Sequence, residues 1–337
     1  MTPARSAAQN VPPAEAGKGV QILLLGTHGG PALTKQRSES ATLLIVDGRP
    51  YLIDCGIGTM RRMLEAGVRS PTIGTIFITH NHPDHALGLV DVLANDYHYL
   101  DFAAPESGQE FNIYGPPQTP ALVSAAYNFI RIPYAIFAAE PIGRNALFDP
   151  FRVHVIDHDG LVYQDDRIRV TAAENTHYQL LPAKDQAIMR SYSYRFETRY
   201  GAIVFTGDTG PSAAVEALAK GADVLISEVE DLKAIENAMR FETAANMNPL
   251  LAHMRMEHLP MKAVGELASE AKVKAVILDH FVGGLDGQRF LAGVKEYYSG
   301  PVFAGEDLAR YCLAADTASR GNGSAAGTGA RRLEPCH

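Results

Sequence analysis

A chain of 337 residues, 46% apolar and 20% charged, is globular in composition and can bury a sizeable core as one large domain or two small ones. Its formal net charge of −8 argues against a broad nucleic-acid footprint, which needs a basic face, though a local basic patch stays open. Three cysteines, Cys55, Cys312 and Cys336, make no disulfide framework, and no apolar run approaches the length that spans a bilayer.

Met1 to Gly19 is rich in Ala and Pro and lacks the apolar core of a signal peptide. It reads as a disordered arm, with the cytoplasm expected, or as what is left when a leader is removed, with the periplasm expected. Val20 to Leu25 is the first strand. The tight loop Gly26-Thr27-His28-Gly29-Gly30-Pro31 follows, and it is no phosphate loop, because no Lys-Ser/Thr follows a Gly-x4-Gly. Ala41 to Val46 and Tyr51 to Ile53 pair across Asp47-Gly48 as a hairpin, and Thr59 to Ala66 is a helix closed by Gly67.

The most informative stretch is Thr79-His80-Asn81-His82-Pro83-Asp84-His85. It follows Thr75-Ile76-Phe77-Ile78, a β-branched and aromatic run that reads as a buried strand. Asn81 and Pro83 put the cluster on a loop at the strand's C-terminal end, and a helix restarts at Ala86. In an extended segment alternate residues point the same way, so His80 and His82 can address one ion; Asp84 and His85, past the turn, suit a second.

The pattern His80-x-His82-x-Asp84-His85 resembles the signature of the metallo-β-lactamase-fold hydrolases. The opening loop, the hairpin and Asp54-Cys55-Gly56 resemble the start of the branch that holds ribonuclease Z and the zinc-dependent arylsulfatases. The resemblance implies that Asp54 supports the metal loop by a hydrogen bond; on its own it reads equally as a turn or helix-capping aspartate.

Asn95 to Glu110 reads as irregular, Phe111 to Pro117 as a strand and turn, and Thr119 to Phe129 as a helix. Tyr114-Gly115-Pro116-Pro117-Gln118-Thr119 with Ala126-Tyr127 is again similar to the arylsulfatase-like branch. Arg131 to Arg152 has few regular signals but carries Tyr134, Phe137, Phe148 and Phe151, an aromatic loop suited to line a pocket for an apolar or aromatic molecule. Val153 to Asp157 and Arg167 to Thr171 are strands. His177, just past the second, stands where the family places its third histidine ligand. His154 and His158, within a strand and its turn, are weaker candidates.

Ser191 to Glu197 and Ala202 to Phe205 form a second hairpin. Gly207-Asp208-Thr209 after it matches the family's bridging aspartate, which implies that Asp208 touches both ions. Asp223 to Ser227 is a strand ending at Glu228. In ribonuclease Z a glutamate here pairs with a downstream histidine; the matching residue is His258, before the helix Lys262 to Lys272, with His253 a nearby competitor. Ala275 to Phe281 is a strand holding His280, the counterpart of the last ligand of the second ion. A helix at Gln288 to Tyr298 and a short strand at Pro301 to Phe303 follow. Beyond Leu313 the chain turns to Ala/Gly/Ser low complexity.

The expected architecture is α/β (α+β): an αββα sandwich of two mixed β-sheets flanked by helices, over residues 20–313, with a disordered arm at 1–19 and a disordered tail at 314–337. The resemblance implies two zinc ions per chain, with manganese or iron also suited to the donors. His80, His82 and His177 hold one, Asp84, His85 and His280 the other, and Asp208 is shared; Asp84, Glu228 and His258 complete the chemistry. Only 31 positions separate His177 from Asp208, too few for the long arm of bacterial ribonuclease Z. With the acidic balance, this points to a hydrolase of small ester-type molecules, aromatic ones among them, arylsulfatase-like or a dehalogenase or lactonase, with a nucleic-acid partner not expected and no membrane partner. A ribonuclease Z-like phosphodiesterase acting on RNA is the alternative, and a non-catalytic metal-binding module the second alternative. The family also makes a homodimer compatible with the chain.

Overall fold

A computed structural model describes residues 18–68, 73–103, 111–140, 150–240, 244–314 and 332–336. In chain order the strands are β1 Val20–Gly26, β2 Ala41–Val46, β3 Arg49–Ile53, β4 Thr75–Phe77, β5 Phe111–Gly115, β6 Phe151–Val155, β7 Gly160–Gln164, β8 Ile168–Glu174, β9 Tyr192–Thr198, β10 Gly201–Phe205, β11 Val224–Glu230, β12 Val276–Val282, β13 Val302–Ala304, β14 Arg310–Ala314 and β15 Arg332–Pro335. One sheet runs β15-β14-β1-β2-β3-β4-β5-β6 and the other β13-β12-β11-β10-β9-β8-β7. Each is antiparallel in one half and parallel in the other, with β3 to β6 parallel in the first and β10 to β13 parallel in the second.

The apolar runs show why the sheets stack. Ile22 and Leu24 of β1 face the core between the sheets, while Leu23 and Leu25 face a second core on the outer side. A strand buried on both faces has no polar side to alternate. The helices α1 Thr59–Glu65, α2 Pro83–Ala86, α3 Leu89–Ala103 and α4 Thr119–Ala139 belong to the first half. Then come α5 Ala183–Gln186, α6 Ala213–Ala219, α7 Leu232–Ala238, α8 Ala244–Glu257, α9 Met261–Glu270 and α10 Gly287–Lys295. Met63, Val92, Val123 and Ile130 cover the first sheet; Leu218, Val264 and Phe290 cover the second. The result is the expected αββα sandwich.

Several local readings need correction. Of the stretch Asn95 to Glu110, residues up to Ala103 continue helix α3 rather than being irregular, because Leu89, Val92, Leu93 and Tyr97 recur at helical spacing and are all buried, and residues 104–110 lie outside the described residues. Helix α4 runs to Ala139 straight through Pro133. By length and composition it is the one helix among the described residues that could cross a membrane; here Val123, Ala126 and Ile130 pack on the first sheet. Of the expected aromatic loop, residues up to 139 lie on this helix instead, and residues 141–149 lie outside the described residues. Tyr134 donates to the carbonyl of Ala94 at 3.1 Å, its ring lies 5.0 Å from Tyr97 and 5.6 Å from Phe137, and Phe151 sits within β6. Phe148 lies outside the described residues. At the other end, Arg332–Pro335 is no disordered tail but a strand on β14, with Leu333 in the inter-sheet core. Cys312 and Cys336 are bridged across this pair, although three cysteines suggested no framework. The rest of the tail and the N-terminal arm up to residue 17 lie outside the described residues.

Candidate metal centre

The seven expected ligands, spread over two hundred positions, meet at one edge of the sandwich. His80, His82, Asp84 and His85 follow β4 of the first sheet. His177, Asp208 and His280 come from the ends of β8, β10 and β12 of the second. Strand ends at the carboxyl side of parallel segments are the usual place for such loops. The donor atoms form two groups, His80, His82, His177, Asp208 and Asp84, His85, Asp208, His280, each within 4.8 Å.

Asp208 belongs to both. Its Oδ2 lies 3.8 Å from His80 Nε2 and 3.9 Å from His177 Nε2; its Oδ1 lies 3.3 Å from His85 Nε2. His280 Nε2 is 3.1 Å from Asp84 Oδ2 and 3.2 Å from Asp208 Oδ2. His82 Nδ1 approaches His177 Nε2 at 3.0 Å. The backbone is shaped to allow this convergence. His280 takes a positive φ of 48°, and a Cβ on Gly29 would come within 2.5 Å of its Nδ1. Gly207, with φ 55°, carries the chain past Thr79 into Asp208.

Whether the residues fit a pair of ions is answered by their unused atoms. His80 Nε2, His85 Nε2 and Asp208 Oδ1 are buried without any hydrogen-bond partner. Buried polar atoms are nearly always paired, so three convergent orphans on a carboxylate and two imidazoles mark the place of a cation. Burial holds the His80 and His177 imidazoles well below their ordinary range and His82 down to about 4, which favours the neutral rings that ligate metal ions. Burial works against the charge of Asp208, yet His280 and His85 hold it well below the usual carboxylate range.

The supporting contacts are equally ordered. His80 Nδ1 donates to Thr79 Oγ1 at 3.1 Å, and that hydroxyl donates to Asp54 Oδ2 at 2.8 Å. His85 Nδ1 donates to the same oxygen at 2.8 Å. His177 Nδ1 donates to the carbonyl of Glu257 at 2.8 Å. Asp84 Oδ2 accepts from the Gly30 amide at 2.7 Å. Asp54 thus braces ligands of both groups, as the resemblance implied, and such contacts fix tautomer and ring direction.

Beside the centre, His258 Nδ1 donates to Glu228 Oε2 at 2.6 Å, and Glu228 Oε1 accepts from the Thr209 amide at 2.5 Å. An open cavity of about 310 Å³ adjoins His82, lined among others by Gln118, Tyr178, Arg190, His253 and Glu257. The Tyr178 ring lies 5.1 Å from both His82 and His177. Sequence reasoning passed over Tyr178, Arg190 and Glu257; the His-x3-Glu spacing of His253 and Glu257, one helical turn, was the readable sign of the last. His154, bonded to Asn112, and His158, bonded to Asp157, stand apart from the centre.

The chain is similar to known proteins in sequence and in fold. The beta-lactamase superfamily domain matches residues 49–281. Ribonuclease Z of Mycobacterium avium (strain 104) is 28% identical over 297 residues, covering 86% of this chain and 97% of that one. Ribonuclease Z of Mycobacterium marinum is 28% identical over 298 residues, covering 86% and 98%. Among solved structures, human tRNase Z, short form, superposes with a TM-score of 0.58 at 20% identity, covering 86% of this chain and 98% of that chain. The metallo-beta-lactamase fold protein YhfI from Bacillus subtilis does so with 0.62 at 16%, covering 87% and 99%. Relatives named ribonuclease Z over nearly their whole length overturn two expectations: the small-molecule, arylsulfatase-like substrate and the absence of a nucleic-acid partner. Net charge sums the entire surface and so says little about which substrate reaches the metal edge.

Proposed function

The chain belongs to the beta-lactamase superfamily and is a metallo-hydrolase, and from this we propose that it is a metal-dependent phosphodiesterase of the ribonuclease Z type that cleaves RNA. The observation that carries the reading is the end-to-end similarity to ribonuclease Z, 86% of this chain against 97% of the relative. In this reading His80, His82, His177 and Asp208 hold one ion, and Asp84, His85, His280 and Asp208 the other. When bound, two divalent cations, zinc foremost, supply Lewis acidity and make water nucleophilic at neutral pH.

The chain's own residues do the rest. Asp54 keeps His80 and His85 in the tautomer that turns Nε2 inward. Asp208 spans the two groups and sets their separation. His258, oriented through Nδ1 by Glu228, presents Nε2 as the proton donor to the leaving oxygen, a role that geometry and an anchoring carboxylate suit. Tyr178 in the adjoining cavity offers a ring for a base.

The test is cleavage of a structured precursor tRNA and of single-stranded RNA by the purified protein, with and without a chelator. Chelator-sensitive cleavage is expected. Metal-loaded protein that cleaves neither RNA would overturn the reading.

A further inference from the structure

We propose that His253 is a positioning residue for His258, holding the direction of its Nε2; the inference rests on the role given above to His258. Two carboxylate–imidazole pairs face one another here. His258 Nδ1 donates to Glu228 Oε2 at 2.6 Å, and His253 Nδ1 donates to Glu257 Oε2 at 2.5 Å. Their Nε2 atoms are 3.3 Å apart, with ring planes at 90°.

Each Nδ1 faces a carboxylate and so keeps its hydrogen there. The two Nε2 atoms lie within hydrogen-bond reach, so a hydrogen on His258 Nε2 is held in line with the His253 ring. That bond removes the swing left to a ring tethered at only one nitrogen. The two histidines differ in access: His258 is 4% exposed, while the His253 side chain is 29% exposed and lines the cavity. His253 therefore flanks His258 on the cavity side.

Glu257 fixes His253 in turn. Its Oε1 accepts from the Leu180 amide at 2.7 Å and its carbonyl from His177 Nδ1 at 2.8 Å. The last turn of α8 is thereby pinned to the loop bearing His177, and the direction of His258 is set against the ligand loop rather than by Glu228 alone.

In the hydrolysis proposed above, a water oxygen bonds to phosphorus. The bond from phosphorus to the leaving oxygen breaks with its electron pair, and that oxygen takes the hydrogen from His258 Nε2. The hydrogen released by the attacking water replaces it through solvent. A misdirected His258 penalises only leaving groups that need that hydrogen.

The experiment measures kcat and KM of metal-loaded protein on two diesters of one nucleotide, one releasing p-nitrophenol and one releasing an alkyl alcohol. His253→Ala is expected to lower kcat on the alkyl diester by about a hundredfold, with a loss at least about tenfold smaller on the aryl diester and KM within about twofold. His253→Gln, whose amide oxygen can accept from His258, recovers part of the loss. Equal losses on the two diesters, a change confined to KM, or metal content falling with activity would each overturn the proposal. RNA cleavage by the wild type is scored separately, so failure of the RNA reading leaves the leaving-group comparison standing.

Discussion

Asp54 Oδ2 accepts from His85 Nδ1 at 2.8 Å and, on the same oxygen, from the Thr79 hydroxyl that supports His80. One buried carboxylate oxygen thus orients one histidine of each ligand group, although it touches no ion itself. Asp54→Ala is expected to weaken metal affinity by about 10- to 100-fold. Competition with a coloured chelator measures it; an unchanged affinity would show that the loop backbone alone holds the rings.

Asp208 is the one side chain common to the two groups. Asp208→Ala is expected to abolish hydrolysis and to reduce bound metal at both positions, not one. Elemental analysis of the purified variant checks this, and two retained ions per chain would refute a bridging role.

Glu230 is fully buried with neither carboxylate oxygen bonded. Burial, then the neighbouring Glu228, push its carboxyl from 4.5 up to about 8. The folded state therefore keeps a proton that the unfolded chain has lost, and stability falls as pH rises between those values. Glu230→Gln is expected to match the wild type near the lower value. It should gain on the wild type through the window, by up to about 1.4 kcal/mol per pH unit, and keep a constant advantage beyond it. Thermal melts of the two proteins across pH measure the gap; a gap independent of pH would contradict the shift.

The Cys312–Cys336 bridge closes a stretch of 24 residues and clamps β15 to β14. Replacing both cysteines by serine is expected to cost about 3 kcal/mol of stability. Denaturant unfolding with and without reductant should show the loss in the wild type and no reductant effect in the variant.

The metal edge was legible because its residues sit in short motifs of fixed spacing. His80, His82, Asp84 and His85 announce themselves within six positions, and Asp208 lies in a Gly-Asp-Thr turn. The sheets were legible because strands such as β1 and β11 are apolar on both faces. Helix α8 was not: it packs through the small cluster of Leu251, Met254 and Ile235, too few apolar positions to print a period. Tyr134 was misread because an aromatic side chain packed between two helices looks, as a letter, like one lining a cavity. Substrate class was the least legible, since one metal geometry serves many electrophiles.

The ligand groups straddle the seam of the sandwich: each takes side chains from loops of both sheets. Bound cations would then rivet two layers otherwise joined mainly by apolar packing, and every ion captured would add its binding free energy to the cohesion of the layers. Metal supply and the lifetime of the native state are linked quantities here, and a cell starved of metal would hold a looser protein as well as an idle one.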